Sequence, residues 1–220
     1  MEPTASMALR AARKAGDLIV RASDNMDRVG YQAKTAADFV TEVEIAAERE
    51  ILYHLSKTYP EHRFECEESG LSGNEESEYT WVIDPLDGTS NFLRGIPHYA
   101  VSIACLHRGK VEHAVVYDPS RREECIASRG RGAHLNGHRI RVGERKELKE
   151  SLVGTGTPFL GHCDDQLDWY TASLGNVAGR CMGVRRAGSA ALDLAYVAAG
   201  RLDGFWEMGL NRWDIAAGAL

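Results

Sequence analysis

Residues 81–91 read Trp-Val-Ile-Asp-Pro-Leu-Asp-Gly-Thr-Ser-Asn, and this segment says more about the fold than any other part of the sequence. An apolar strand leads here directly into two carboxylates, Asp84 and Asp87. Pro85 fixes its own φ and has no N–H to donate, and Gly88 permits a turn that other residues disfavour. We therefore expect the strand to break at this point and the two carboxylates to converge.

The residues around Gly88 suit a phosphate group held beside a metal ion. The Leu86 carbonyl has no place in a regular strand ladder, so it can serve as a neutral oxygen ligand for a hard cation. Residues 88–91 have the pattern of a helix start, where unpaired N–H groups and the positive end of the helix dipole attract phosphate. A plain Asp/Gly/Pro turn that closes a strand is the alternative interpretation.

Two further acidic segments favour a metal site over a plain turn. Glu67 and Glu68 follow another short strand-like run, residues 62–66, and adjacent carboxylates repel each other. Asp214 follows Trp213 and precedes an apolar segment, where a helix N-cap is its alternative role. Mg²⁺ prefers octahedral oxygen ligands and keeps several waters, so a few carboxylates, one carbonyl and a phosphate fit its chemistry.

Apolar periodicity predicts helices and strands in mixed order along the chain. The predicted helices are residues 6–22, 41–58, 165–174 and 190–199. The predicted strands are residues 99–106, 111–117, 124–128, 152–155, 182–186 and 203–208. The first two strands flank Arg108-Gly109 and should form an antiparallel hairpin, and Asn136-Gly137 signals another. This order favours a mixed α+β fold of layered sheets and helices over a Rossmann sheet.

Three motifs resemble, in order and spacing, those of the inositol monophosphatase family, most of all its bacterial SuhB-type branch. They are Glu-Glu-Ser-Gly at 67–70, Asp-Pro-Leu-Asp-Gly-Thr at 84–89 and Trp-Asp at 213–214, and the resemblance runs from about Ala8 to the last residue. It implies the family's αβαβα sandwich and hydrolysis of inositol monophosphate or a similar small polyol phosphate. It also implies two or three Mg²⁺ ions, sensitivity to lithium and a homodimer.

The resemblance further implies roles for single residues. One Mg²⁺ would take its ligands from Glu67, Asp84 and the Leu86 carbonyl. A second would take them from Asp84, Asp87 and Asp214. The catalytic groups would be Thr89, which orients the attacking water, together with Glu44 and Glu67. The substrate would contact Asp87, Gly88, Thr89, Ser90, Gly188, Ser189, Ala190 and Glu207.

Glu44 stands where the family has an aspartate that pairs with the threonine that positions the water. It is one methylene longer than that aspartate. It also completes a capping box with Thr41, flanked by Val40 and Ile45 as a hydrophobic staple, which would start a helix at Thr41. A glutamate folded back on Thr41 cannot also reach Thr89, so the sequence leaves the cap and the catalytic role open.

The sequence is that of one catalytic domain, residues 1–220, with a metal and phosphate lobe over about 1–145 and the start of a C-terminal lobe over about 146–220. Family members continue beyond Trp-Asp with further helices and strands, whereas this sequence stops six residues after Asp214. An isolated helix that short is unstable. We therefore expect either an incomplete chain or a missing C-terminal lobe.

Composition agrees with a compact cytoplasmic enzyme. The 220 residues are 44% hydrophobic, enough for a sizeable core, and no apolar run is long enough to cross a bilayer. The N-terminus lacks a secretion signal, and the five cysteines form neither a zinc pattern nor a disulfide framework. The net charge of −6 argues against broad nucleic-acid binding. A local basic excess over residues 121–149 fits a solvated hairpin.

Other enzyme chemistries find less support in the residues. No dinucleotide or Walker motif is present. Enzymes that form an aspartyl phosphate commonly place two aspartates two residues apart, whereas Asp84 and Asp87 are three apart. Cys125 and Arg131 have the spacing of a cysteine phosphatase, but Glu124 precedes the thiol and a hairpin, not a helix, follows the arginine.

A competing hypothesis comes from another class of protein. The SuhB-type branch is associated with transcription antitermination and ribosomal RNA maturation. The resemblance therefore also implies a regulatory protein that contacts Nus factors or RNA polymerase, with the phosphatase activity secondary.

Overall fold

The computed structural model describes residues 2–24, 33–158 and 166–220, with side chains described from residue 40 in the second segment. The helices are α1 Pro3–Ser23, α2 Ala33–Thr58, α3 Thr89–Leu93, α4 Leu167–Ala178, α5 Ala190–Ala198 and α6 Arg212–Ile215. The strands of the first half are β1 Arg63–Cys66, β2 Gly70–Gly73, β3 Tyr79–Asp87, β4 Ala100–His107 and β5 Lys110–Asp118. The others are β6 Glu123–Ser128, β7 Gly132–Leu135, β8 His138–Arg139, β9 Leu152–Thr155, β10 Gly183–Arg185 and β11 Gly204–Trp206.

The strands form two sheets. The larger has eight strands in the order β2-β1-β3-β4-β5-β6-β7-β8, in which only the β1–β3 pair is parallel. The smaller is a parallel sheet in the order β10-β9-β11. The residues between β9 and β10 include α4, and those between β10 and β11 include α5.

Two apolar cores lie on opposite faces of the large sheet. The first joins α1 and α2 to the sheet, and the second joins α5 and the residues of α6 to it. Alternating residues of β3 supply both cores, since Trp81 and Ile83 face the first and Val82 faces the second. Because α5 also contacts β11 of the small sheet, the layers run helices, sheet, helices, sheet. The predicted mixed α+β fold of layered sheets and helices is confirmed.

Both predicted hairpins are present. β4 and β5 pair across Arg108 and Gly109, with φ values of 50° and 76°. β7 and β8 pair across Asn136 and Gly137, with φ values of 49° and 79°. Two successive residues with positive φ match the twist of a two-residue hairpin turn.

The capping box predicted at Thr41 is wrong. α2 begins at Ala33, so Thr41 and Glu44 lie inside the helix. Val40 does not act as a staple outside the helix; it is buried in the first core on the same helix as Val43 and Ala47. The spacing of these three residues keeps them on one helical face. Packing of that face against the core favours a helix that includes Thr41, although the local sequence signals a helix start there.

Two predicted strands are shorter in the structure than the sequence predicted. The strand predicted over 203–208 is limited to Gly204–Trp206, and the one predicted over 182–186 to Gly183–Arg185. The start predicted for a helix at Asp165 lies outside the described residues, and so does Cys163. Cys66, Cys105, Cys125 and Cys181 are free thiols. No helix in the described part of the chain is long and apolar enough to cross a membrane.

Candidate active site

The parallel pairing of β1 with β3 brings two acidic residues to one end of the sheet. Cys66 lies opposite Ile83 in the register. The Glu67 amide continues the pairing and donates a hydrogen bond to the Ile83 carbonyl at 3.1 Å. Glu67 therefore lies level with Asp84 of the neighbouring strand, and both residues line the same cavity.

The break predicted in β3 occurs between Asp84 and Asp87. The register with β4 shifts there, because Asp84 pairs with Ser102 while Asp87 pairs with Ala100. Oδ1 of Asp84 accepts a hydrogen bond from the Leu86 amide at 2.9 Å, which closes a local turn. The bulge separates the two aspartates, and both line the same cavity.

Gly88 allows the chain to leave the strand. Its φ is 99°, and a Cβ there would lie 3.0 Å from the His98 carbonyl oxygen. Both the backbone conformation and the close approach therefore require glycine. α3 begins at the next residue, and the Gly88 carbonyl accepts hydrogen bonds from the amides of Asn91 and Phe92 at 2.9 and 3.0 Å. The helix start predicted over residues 88–91 is confirmed.

The start of α5 holds the Asp87 carboxylate. Oδ2 of Asp87 accepts hydrogen bonds from Ser189 Oγ at 2.6 Å and from the Ala191 amide at 2.7 Å. Ser189 is also the N-cap of α5 and accepts a bond from Leu192 N at 3.4 Å. Ser189 therefore holds the Asp87 carboxylate in place. Direct contacts of a substrate with Gly188, Ser189 and Ala190 stay a prediction.

Glu44 reaches the site from α2. Thr89 Oγ1 donates a hydrogen bond to Glu44 Oε1 at 2.7 Å and also lies 3.3 Å from the Leu86 carbonyl oxygen. The sequence left open whether Glu44 caps a helix or pairs with Thr89, and in the structure Glu44 pairs with Thr89. Burial raises the pKa of Glu44 to about 6, and the hydrogen bond from Thr89 partly opposes that rise.

Asp214 lies on α6, but not at its N-cap. The N-cap is Asn211, and Asp214 is the third residue of the helix, where its Oδ2 accepts a bond from Asn211 N at 2.6 Å. The alternative role of N-cap is therefore wrong, and the correct position is the acidic end of a capping box. Ser102 Oγ on β4 donates to the Trp213 carbonyl at 3.0 Å, which ties α6 to the large sheet.

These residues surround one cavity of about 580 Å³. Its walls include carboxylates, the turn after β3, and residues of the second half of the chain. They are Glu67, Asp84, Leu86, Asp87, Gly88, Thr89, Ser90, Arg186, Gly188, Ala190, Glu207, Gly209, Leu210, Asn211 and Asp214.

Glu207 follows β11 and lies against Gly156. A Cβ on Gly156 would lie 1.7 Å from the carboxyl carbon of Glu207, so the absence of a side chain at this glycine makes room for the carboxylate. Arg186 is a basic residue of the cavity wall, and its Nη2 donates to Thr157 Oγ1 at 3.1 Å. Glu207 thus lines the same cavity as the carboxylates that follow β1 and β3.

The carboxyl groups of the cavity bind protons more tightly than usual. Burial is the main cause, and repulsion between neighbouring carboxylates adds to it. The pKa of Glu67 rises to about 7 and that of Asp87 to about 6, and the pKa values of Asp84 and Asp214 also rise. Burial and the charge of Asp87 raise the pKa of Glu207 to about 7. A cation bound in this cavity would replace the protons and stabilise the ionised carboxylates.

The donor set fits Mg²⁺. In the described part of the chain, no three His, Cys, Asp or Glu side chains stand as a ready-made ligand set for one ion. Burial and the neighbouring charge of Glu67 raise the pKa of Asp84 instead. Oxygen ligands alone, from carboxylates and the Leu86 carbonyl, are the ligands that Mg²⁺ prefers, and metal binding releases protons from such groups.

Sequence reasoning missed three residues of this region. Arg186 lines the cavity. Asp193 on α5 is buried, and burial with repulsion from Glu207 raises its pKa to about 7. Glu48 is buried on α2, four residues after Glu44. The spacing of Glu44 and Glu48 on one helical face was a signal that could have found the last of these.

The cysteine-phosphatase alternative gains no support from the fold. Cys125 lies on β6, outside the walls of the acidic cavity. Burial raises the pKa of its thiol to about 11, whereas a nucleophilic cysteine needs a lowered pKa.

Comparison with known proteins identifies the family. The sequence model of the inositol monophosphatase family matches residues 1–220. The Nus factor SuhB of Pseudomonas aeruginosa is 55% identical over 222 residues, covering 100% of this chain and 82% of that protein. The Nus factor SuhB of Escherichia coli is 48% identical over 220 residues, covering 100% of this chain and 82% of that protein.

Solved structures lead to the same family. The extragenic suppressor protein SuhB from Bartonella henselae has a TM-score of 0.90 at 43% identity, over 99% of this chain and 83% of that one. The inositol monophosphatase from an Anabaena (Nostoc) species has a TM-score of 0.83 at 36% identity, over 98% and 78% of the two chains. The chain belongs to the inositol monophosphatase family, and the resemblance inferred from its motifs, including that to the SuhB-type branch, is confirmed.

Proposed function

We propose that this chain is a Mg²⁺-dependent phosphomonoesterase that hydrolyses inositol monophosphate or a similar small polyol phosphate, with water as the direct nucleophile. The observation that carries the proposal is that one cavity of about 580 Å³ is lined by Glu67, Asp84, Asp87 and Asp214 and by Thr89, which is hydrogen-bonded to Glu44. Mg²⁺ ions bound there would lower the pKa of a water molecule and neutralise the charge that develops on the leaving oxygen.

Thr89 and Glu44 would handle the proton of the attacking water. Thr89 Oγ1 donates its own hydrogen to Glu44 Oε1 at 2.7 Å, so its lone pairs can accept a hydrogen bond from the water. As the water attacks phosphorus, its proton passes to Thr89 Oγ1 while the threonine proton passes to Glu44 Oε1. A glutamate with a pKa of about 6 can accept that proton near neutral pH.

Groups at two sides of the cavity would orient the substrate. Ser90 and the amides at the start of α3 lie beside the aspartates and would donate hydrogen bonds to phosphate oxygens. Glu207 lies on the same cavity and would accept hydrogen bonds from the hydroxyl groups of a polyol. The distribution of these donors and acceptors suits a molecule with one phosphate and several hydroxyl groups.

Phosphate release from inositol 1-phosphate tests the proposal. Turnover should require Mg²⁺, stop when a chelator is added, return when Mg²⁺ is restored, and be inhibited by Li⁺. Turnover that persists in excess chelator would contradict the role of the metal. Turnover of phosphomonoesters without hydroxyl groups at the same kcat/KM would contradict the polyol class.

The names of the relatives favour a second candidate function. Nus factor SuhB proteins match the whole chain at 55% and 48% identity. We infer that this chain can also contact the transcription antitermination machinery or RNA polymerase in the cytoplasm, without strong nucleic-acid binding of its own. In a pull-down with purified transcription factors, an Asp87→Asn variant should retain binding, since the surface stays intact. Loss of binding with a folded variant would tie the two functions to one site.

We also propose that the chain forms a homodimer. Light scattering on the purified chain should give twice the mass of one chain. A single-chain mass at the concentration of the kinetic assay would contradict it.

A further inference from the structure

Glu48 is a buried glutamate of α2 that the proposed chemistry leaves unused. Its exposed fraction is 2%. Its Oε2 accepts a hydrogen bond from the Glu68 amide at 2.9 Å, and its Oε1 accepts one from the Ser69 amide at 3.0 Å. One carboxylate therefore accepts hydrogen bonds from two successive peptide N–H groups. Hydrogen bonds to a charged acceptor are stronger than those between neutral groups.

These two amides belong to the turn at residues 67–69, which begins with Glu67. The turn connects β1 to β2, and β2 begins at Gly70, whose φ is 72°. On the sheet side, the Glu67 amide is bound to the Ile83 carbonyl at 3.1 Å. On the helix side, Glu48 binds the next two amides. The backbone that carries the Glu67 carboxylate is thus held from both directions.

Helix α2 supplies carboxylates at two points of the site. Glu44 and Glu48 are four residues apart, which places them on the same face of the helix. Glu44 binds Thr89 Oγ1 at 2.7 Å, and Glu48 binds the turn after Glu67. A single rigid helix therefore sets the position of Glu67 relative to Thr89.

We propose that Glu48 is a positioning residue: it holds the turn at residues 67–69 so that the Glu67 carboxylate faces Asp84 in the geometry that binds the cation. The inference rests on the proposed function, because that function makes Glu67 a ligand. Groups that orient a metal ligand change metal affinity by about 10- to 100-fold when they are mutated. Glu48 acts through the backbone and does not need to touch the ion.

Calorimetric titration of the metal-free protein with Mg²⁺ tests this role without relying on turnover. Glu48→Gln keeps the size of the side chain but turns an NH₂ group toward one of the two amides. Glu48→Asp keeps the charge but is one methylene shorter. Glu42→Gln removes a charge from an exposed position of the same helix and is the matched control. We expect Mg²⁺ to bind about 10- to 100-fold more weakly to both Glu48 variants and unchanged to the control.

The outcomes are distinct. Equal Mg²⁺ affinity in wild type and in either folded Glu48 variant overturns the inference while the proposed function stands. A wild-type protein that binds no Mg²⁺ overturns the proposed function and this inference together.

Amide hydrogen exchange on the wild-type protein needs no variant and decides the matter if both variants fail to fold. The amides of Glu68 and Ser69 should exchange slowly in the metal-free protein, since Glu48 already binds them there. Fast exchange at both amides would overturn the inference.

Discussion

Thr89 Oγ1 and Glu44 Oε1 are 2.7 Å apart, although the two residues are separated by 45 positions in the sequence. Glu44 is buried in the interior of a helix of 26 residues, so its backbone cannot move easily toward Thr89. The length of the glutamate side chain closes the distance. This glutamate, where the family resemblance expects an aspartate, is fitted to the site that surrounds it.

Shortening Glu44 should therefore impair catalysis. Glu44→Asp withdraws the carboxylate from Thr89, and misplacement of a catalytic group by about 1 Å can cost about 100-fold in rate. We expect kcat to fall by at least about tenfold with little change in KM, since the pair acts on the attacking water and not on substrate binding. Steady-state kinetics measure both constants. Glu42→Asp, on an exposed position of α2, is the control, and a rise in kcat of the Glu44 variant would contradict the fitted-length explanation.

Removing the charge of Asp87 should abolish activity without unfolding the protein. Asp87→Asn can place its amide oxygen where Oδ2 of Asp87 accepts hydrogen bonds from both Ser189 Oγ and the Ala191 amide, at 2.6 and 2.7 Å. The loss of a proposed ligand charge should lower kcat/KM by orders of magnitude. The replacement of charged hydrogen bonds by neutral ones should lower the free energy of unfolding by only about 1–3 kcal/mol. Kinetics and a thermal melt test the two parts, with Asp168→Asn on the exposed face of α4 as the control.

Local signals predicted the parts of the fold that depend on short stretches of sequence. The bulge between Asp84 and Asp87 follows from a proline within β3 and a glycine directly after it. The hairpin at Arg108-Gly109 follows from a turn signal between two apolar runs. The start of α2 could not be predicted in this way, because the capping signal at Thr41 is local and the packing of Val40 in the core is not.

The same distinction applies to the candidate site. The motif around Asp84 predicted a group of carboxylates from the sequence alone. The pairing of Cys66 with Ile83, which brings Glu67 to Asp84, joins segments that no local pattern connects. The contact of Ser189 with Asp87 spans 102 positions, so only the folded chain reveals that Ser189 holds a carboxylate.

The stability of the metal-free protein should fall as the pH rises from about 5 to 8. The folded state holds protons on Glu67, Asp87 and Glu207, whose pKa values rise to about 7, 6 and 7. Between the lower pKa values of the unfolded chain and these values, the folded state binds more protons, so the free energy of unfolding decreases with pH. Mg²⁺ competes with those protons and stabilises the folded state more at high pH.

The measurement for this prediction is the difference in melting temperature with and without Mg²⁺ across that pH range. The difference should grow with pH. Burial lowers the pKa of His98, so this histidine also makes stability depend on pH, but its contribution is the same with and without Mg²⁺ and cancels in the difference. Glu67→Gln should flatten the pH dependence of the difference. A difference that stays constant from pH 5 to 8 would show that these carboxyl groups do not take up the ion.

Gly156 makes room for the Glu207 carboxylate, which lines the cavity on its proposed polyol side. A Cβ at residue 156 would lie 1.7 Å from the Glu207 carboxyl carbon, but that carbon is at the end of a flexible side chain. Gly156→Ala should therefore fold and displace the Glu207 carboxylate. If Glu207 binds polyol hydroxyl groups, KM for inositol 1-phosphate should rise by about 10-fold or more, since each lost hydrogen bond between a neutral and a charged group weakens binding by about 1.5–3 kcal/mol. A phosphomonoester without hydroxyl groups should keep its KM, because it makes no contact there. Gly204→Ala, where a new Cβ would lie 3.7 Å from its nearest neighbour, is the control. An equal rise in KM for both substrates would mean that Glu207 acts on the phosphate or the metal ions instead of on the polyol.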